Sequence, residues 1–397
     1  MKKLVEIIEK PITGEWGEED LTGEGIQVLR TANFTNEGVI NYKNVVTRKV
    51  DISKVKHKLL KNGDIIIEKS GGSPSQPVGR AVFFEGKENS VLFNNFTSVL
   101  RVRKPYECSN KYLFYFLLKG YRDGVTTRFQ NKTTGIANLK LERFINELEI
   151  PLPPLDIQKK IAATLDSAME LINLRKKRPE ELDNLIKSTF YDMFGDPVMN
   201  ANEWEQKTLR EVSQRISDGP FGSNLKSEHY SDSGVRVIRL QNIGVSEFLN
   251  SNKAFISVAH YETLKKYTCL PGDLLIGTLG EPNLRACILP EHVEKAINKA
   301  DCVHFVPDGG KVNAHFVCGY LNQPATLVLA EGSIHGQTRT RISMSQVATL
   351  PIFIPPLELQ NRFADFVLAV EAQKSEVKKS IEESQLLFDS LMSEYFE

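Results

Sequence analysis

The sequence predicts a duplicated α+β protein: two tandem globules with curved or barrel-like sheets, separated by two long helices packed as an antiparallel coiled-coil spacer. Three observations predict it. IPLPPLDIQKKI at 150–161 returns as IFIPPLELQNRF at 352–363. Two more stretches recur at an offset of 209, GIQVLRTANF (25–34) as GVRVIRLQNI (234–243) and NGDIIIEKSG (62–71) as PGDLLIGTLG (271–280). After each proline pair, the short alternating runs of strands give way to apolar residues spaced by three and four.

Taken in order, the first 150 residues read as short strands between turns. AVFF (81–84) and VLFNNFTSVLRVR (91–103) are aromatic and β-branched, and NG, GG, SP and EG punctuate them. The Gly-Asp pairs at 63–64 and 272–273 read as tight turns that launch IIIE and LLIG. A helix is expected over NKYLFYFLLKG (110–120), with NAHFVCGYLNQ (313–323) as its counterpart. The expected boundaries are 1–153 and 196–355 for the globules, and 154–195 and 356–397 for the long helices.

Pro154 and Pro356 end a strand, where they cannot donate to a ladder, and stand just before a first helical turn. Asp156 and Glu358 then place a carboxylate where the helix dipole favours it. The first apolar stripe runs through Ile157, Ile161, Leu165, Met169 and Ile172, then Leu182, Leu185, Ile186, Phe190 and Met193. The second runs through Leu359, Phe363, Phe366, Val367, Val370, Val377, Ile381, Leu387 and Leu391. Each helix would be about 57 Å long, and a single apolar stripe of that length needs a partner, most economically the other copy. Pro179, after RKKR (175–178), is expected to kink or break the first helix; the second has no such proline.

Composition bounds the function. The 397 residues carry 50 Lys+Arg and 50 Asp+Glu, so net charge is zero. Residues 1–150 hold 24 basic against 18 acidic side chains, whereas 356–397 hold 4 against 9. A neutral chain with this asymmetry can still present a local basic groove to phosphate. No run of about 18 uncharged apolar residues occurs, so no membrane partner is expected. The charged start, MKKLVEIIEK, is unlike a secretory leader. Five scattered cysteines without a C-x-x-C fit reduced thiols in a cytoplasm, and no metal site is expected.

Base edges are read by Arg, Lys, Asn and Gln, and phosphates by these with Ser and Thr. Four loops concentrate such groups: 68–80 and 126–135 in the first half, 218–227 and 331–341 in the second. Their candidate DNA-binding residues are Lys69, Ser73, Gln76 and Arg80; Arg128, Gln130, Asn131 and Lys132; Ser223, Asn224 and Lys226; and His335, Gln337, Arg339 and Arg341. Loops 126–135 and 331–341 hold the same place in their repeats yet differ fully in sequence, as two specificities on one scaffold would. Arg30 and Arg239 match across the repeat and suit a structural ion pair as well as DNA; Asn33 and Asn242 suit a turn. His304 and His315 fit a core. No catalytic residues are expected. An amino-methyltransferase needs Asn/Asp-Pro-Pro-aromatic, but the pairs here are LPPL and IPPL. GDIIIEKS imitates a nuclease motif, yet adjacent Glu68 and Lys69 point to opposite faces of a strand.

IPLPPLDIQKKIAATLD (150–166), IPPLELQNRFADFV (354–367), FYDMFGDPVMNANEW (190–204) and SDGPFGSNLKSEHYSDSGVRVIRLQNI (217–243), with GEWGEEDLTGEGIQVLRTANF (14–34), resemble the specificity subunit of type I DNA restriction-modification systems. The resemblance covers nearly the whole chain. It implies two target-recognition domains, each reading half of a bipartite, asymmetric site in double-stranded DNA, with the paired helices as a ruler. It implies two methyltransferase subunits as partners, and restriction-translocase subunits where the system has them. It implies no chemistry and no cofactor in this chain, S-adenosylmethionine being bound by the methyltransferase partner. A bivalent protein-binding scaffold, or service to a non-restricting methylation or phage-exclusion system, is the alternative.

Overall fold

The computed structural model describes residues 1–73, 76–133, 136–333 and 340–396, the side chains of Lys132, Thr133 and Ser333 excepted. Contacts divide the chain into two units, Met1–Lys176 with Ser380–Glu397, and Lys177–Lys379. Each unit holds one globule and half of each long helix.

In the first unit, Ile65–Glu68 is the fully buried centre of a four-stranded antiparallel sheet, between Thr97–Leu100 and Ala81–Phe83, with Ile12–Thr13 outside. A second sheet orders Glu18–Glu19, Val46–Lys49, Ile26–Leu29 and Val91–Phe93, the last pair parallel. Gln130–Thr133, Ile136–Leu139 and Ser70–Gly72 make a third. The expected helix forms over Asn110–Arg122, capped by the Ser109 hydroxyl, and buries Tyr112, Leu113, Tyr115, Leu117 and Leu118.

The second unit repeats this plan. Leu274–Gly277 lies between Cys302–Pro307 and Ala286–Ile288, with Ser213–Ser217 outside, and Val235–Ile238 runs parallel to Ala296–Asn298. The Gly-Asp turns recur: Gly63 and Gly272 both sit at φ +86°, and the Asp64 and Asp273 carboxylates accept the amides of Lys61 and Leu270 at 2.8 and 2.7 Å. Only a residue without Cβ adopts that φ freely. The counterpart helix forms as two shorter pieces, Ala314–Leu321 and Pro324–Ala330, because Pro324 starts a new first turn.

The long helices are Leu155–Phe194 and Leu357–Phe396. Within the second unit they run antiparallel, Asp183 meeting Lys374 while Phe190 and Phe194 meet Phe363. Within the first, Arg175 donates to the Ser380 carbonyl at 2.8 Å and to the Ser384 hydroxyl, and Leu165 and Ile172 share a core with Phe388 and Met392. Contrary to expectation, Pro179 does not break the first helix, which is continuous through it. The loss of one backbone hydrogen bond is outweighed by apolar side chains packing on both sides of it.

Of the expected stripes, Leu165, Ile172, Phe363 and Val370 are buried; Ile161, Met169, Phe366, Val377 and Ile381 are half-buried. Ile157 is 38% exposed, because Gln158 is the residue turned inward at that helix start. Leu387 and Leu185 are also exposed, the buried positions being Phe388 and Ile186.

Gln158 and its repeat mate Gln360 explain why the proline motif carries that letter twice. The Gln158 carbonyl accepts the Ser109 amide at 2.9 Å, and its NH2 donates to the carbonyls of Glu107 and Pro153. The Gln360 carbonyl accepts the Asn313 amide at 2.8 Å, and its NH2 donates to Lys311 and Pro355. Ser109 and Asn313 are N-caps, so each glutamine fastens the start of a globule helix to the start of a long helix. Gln360→Ala strips partners from buried backbone groups and should cost the second unit about 1–3 kcal/mol, with Gln360→Glu recovering part; urea denaturation checks it.

Candidate nucleic-acid interface

The first unit joins two polar loops that are far apart in sequence. Ile136–Leu139 pairs with Gln130–Thr133 on one side and Ser70–Gly72 on the other, so 68–80 and 126–135 share one sheet. The Ser70 hydroxyl donates to Asn138 Oδ1 at 2.6 Å, and Gln130 Nε2 donates to the Val78 carbonyl at 2.9 Å. Arg128 and Asn131 are exposed at the sheet's edge; Lys132 continues the strand, its side chain outside the described residues. Ser73 and Gln76 close a turn through their backbones, 2.8 and 3.1 Å apart. Lys69 is half-buried and donates to Thr13 Oγ1 at 3.3 Å; burial, and then the nearby Lys58 charge, hold its ammonium below the ordinary lysine value.

Arg80 departs from the expectation. It is 8% exposed and directed inward, its fork bound to Glu68 at 2.8 and 3.0 Å and to the carbonyls of Phe34 and Thr31. The second unit duplicates the arrangement with Arg285, which donates to Ile243 and Leu240, the repeat mates of Phe34 and Thr31. These turns are further tied by Asn33 and Asn242. Each accepts an arginine amide, of Arg30 or Arg239, and returns its own NH2 to loop carbonyls. Arg30 and Arg239 donate to the carbonyls of Asn44 and Asn252. Three side-chain positions thus serve to shape a loop in both copies, and a polar sequence alone does not distinguish such a role from ligand contact.

In the second unit, Ser223 and Asn224 are exposed in a short 3-10 segment, Gly222–Asn224, braced by His260, whose Nε2 lies 3.1 Å from the Asn224 carbonyl, and Lys226 is exposed just beyond it. Gly219 fixes the approach of this loop: a Cβ there would lie 2.4–2.5 Å from the backbone of Asn298 and Lys299. Gly14 stands in the same position in the first unit, against Phe93 and Asn94. Arg341 is half-exposed and ion-paired to Asp301 at 2.7 Å; His335, Gln337 and Arg339 lie outside the described residues. Polar composition does not single out Asp301 or the segment 278–285, although the 209-residue offset aligns Thr278 with Lys69.

The five cysteines are buried free thiols, and burial pushes Cys108 and Cys318 up to about 12. His304 is buried against Asp273, at 2.7 Å. Among the described residues no group of three or more His, Cys, Asp or Glu could hold a metal ion, and no helix is long and apolar enough to cross a membrane.

Residues 1–184 match the family model for the type I restriction modification DNA specificity domain. The type I restriction enzyme EcoBI specificity subunit of Escherichia coli is 25% identical over 95% of this chain and 85% of its own length. The MjaVIII specificity subunit of Methanocaldococcus jannaschii is 22% identical over 61% of this chain, which spans 59% of that relative. Among solved structures, the type I restriction-modification S subunit from M. genitalium aligns with 98% of this chain and 94% of its own at a TM-score of 0.52 and 16% identity. A chain from a structure of type I R-M complex assembly aligns with 100% and 96% at 0.58 and 17%. At such identities the structural likeness speaks to fold.

Proposed function

The chain belongs to the specificity subunits of type I restriction-modification systems, and on that premise we propose that it reads a bipartite, asymmetric site in double-stranded DNA. It is a non-catalytic subunit. Its two target-recognition domains, residues 1–153 and 196–355 with barrel-like sheets, each read one half-site, while segments 154–195 and 356–397 set the spacing between them. It directs two methyltransferase subunits, which bind S-adenosylmethionine, and restriction-translocase subunits where the system has them.

One observation carries this reading. The interior contacts of the two units repeat, down to Arg80 with Arg285, Asn33 with Asn242 and Gln158 with Gln360, whereas the polar residues of the outward loops do not. Duplicated scaffold with unlike readers suits unlike half-sites.

Co-expression with its methyltransferase subunit in a host lacking adenine methylation tests the proposal. Long-read sequencing should reveal N6-methyladenine in a new split motif that disappears when this chain is omitted. An active methyltransferase complex that yields no motif dependent on this chain would refute it. DNA affinity of the complex should also fall steeply with salt, unlike that of a peptide-binding scaffold.

A further inference from the structure

The hydrogen bonds of the two units place five positions of one in register with five of the other. The Lys69 amide donates to the Phe96 carbonyl at 2.9 Å, as the Thr278 amide does to Asp301 at 3.0 Å. The Leu139 amide donates to Lys69 at 2.8 Å, as Ile342 does to Thr278 at 3.0 Å. Ser70 pairs with Asn138, as Leu279 bridges to Arg341. Position 96 thus answers to 301, and 138 to 341. Backbone is shared at these places and side chains are not, which is where a family of readers would vary its specificity.

The second unit's set is built around a cation. Asp301 is a non-glycine residue at φ +66°, a conformation that persists only when its surroundings hold it. The Asp218 carboxylate accepts its amide at 3.0 Å, and both the amide and the hydroxyl of Thr278 donate to its carbonyl at 3.0 Å. The residue so fixed turns a carboxylate, 22% exposed, onto Nη2 of Arg341, whose side chain is 51% exposed. A guanidinium held through one nitrogen by a fixed carboxylate keeps donors directed outward and has lost much of its rotamer freedom beforehand. In the first unit Phe96, 46% exposed, replaces Asp301, and the amide of Asn138, held by Ser70, replaces the guanidinium.

We propose that Arg341 reads a guanine in the major groove of the half-site assigned to the second unit, and that Asp301 is the positioning residue that aims it. Guanine is the base whose adjacent N7 and O6 acceptors match an arginine fork. Asn138 is the corresponding specificity position of the first unit. The inference rests on the DNA-reading function proposed above and names a base and the residue that orients its reader.

The test uses the full chain in its methyltransferase complex, with genome-wide N6-methyladenine as readout. The wild-type motif should contain a guanine in one half that Arg341→Gln makes degenerate, with discrimination at that position falling about ten-fold or more. Asp301→Asn should relax the same position less, Arg341→Lys should retain some guanine preference, and Asn138→Ala should relax a position in the other half only. Co-purification of each variant with the methyltransferase shows that it has folded. A motif unchanged by Arg341→Gln and Arg341→Lys overturns the inference while leaving the DNA-reading function standing. So does a uniform loss of methylation without degeneracy, which marks a phosphate contact. A wild-type complex with no split motif overturns the function itself, and this inference with it.

Discussion

Phe190→Ala should cost the second unit about 3–5 kcal/mol, the range for emptying a packed aromatic site. The side chain is fully buried, and its ring lies 5.0 Å from Phe194, 5.5 Å from Phe363, 5.9 Å from Phe316 and 6.4 Å from Phe353. Those rings come from both long helices, the globule helix and a strand, so one truncation loosens four elements at once. Hydrogen exchange read by mass spectrometry suits a chain of two units better than a single melting curve. Amides of 177–379 should lose protection, while those around Phe388, in the first unit's own core, should keep it. Unchanged protection in 177–379 would contradict the packing account.

The second large effect concerns a buried lysine between the helices. Lys374 is 7% exposed and pairs with Asp183 at 2.7 Å and Glu371 at 2.9 Å. Replacing both carboxylates, which are 46% and 38% exposed, by alanine leaves the ammonium to partial hydration only, and should cost about 1–2 kcal/mol. Lys374→Met removes the charge and fills much of the same space, so it should be close to neutral. Comparison of urea midpoints checks the contrast. Equal losses in the two variants would mean that the pair contributes by packing alone. Lys374 is one of the few polar residues buried along the second helix; apolar residues at every such position would leave its register less defined.

Much of this architecture was legible from sequence because it is written twice. The Gly-Asp turns and the proline-to-helix junctions depend on local chemistry, and local chemistry survives divergence. The partners of Gln158 and Gln360 were not legible, since each glutamine fastens a cap 49 or 47 residues away. Phase was lost along the second helix, where Leu387 and Phe388 are both apolar and tertiary contacts, with Tyr115 and Arg122 among them, select the second. Composition marks the polar loops, yet it does not separate Arg80, held inside by Glu68, from Arg128, which is exposed. Nor did it reach Asp301, whose importance comes from a backbone turn and from the arginine beside it.

Each globule is expected to read its own half-site independently of the other. A chain in which residues 196–355 are replaced by a second copy of 1–153 tests it most directly, expressed with the methyltransferase and mapped for N6-methyladenine. If the account holds, the asymmetric motif becomes palindromic, both halves matching one half of the original and the other half disappearing. A chimera that assembles with an active methyltransferase yet still marks the original asymmetric motif would contradict it.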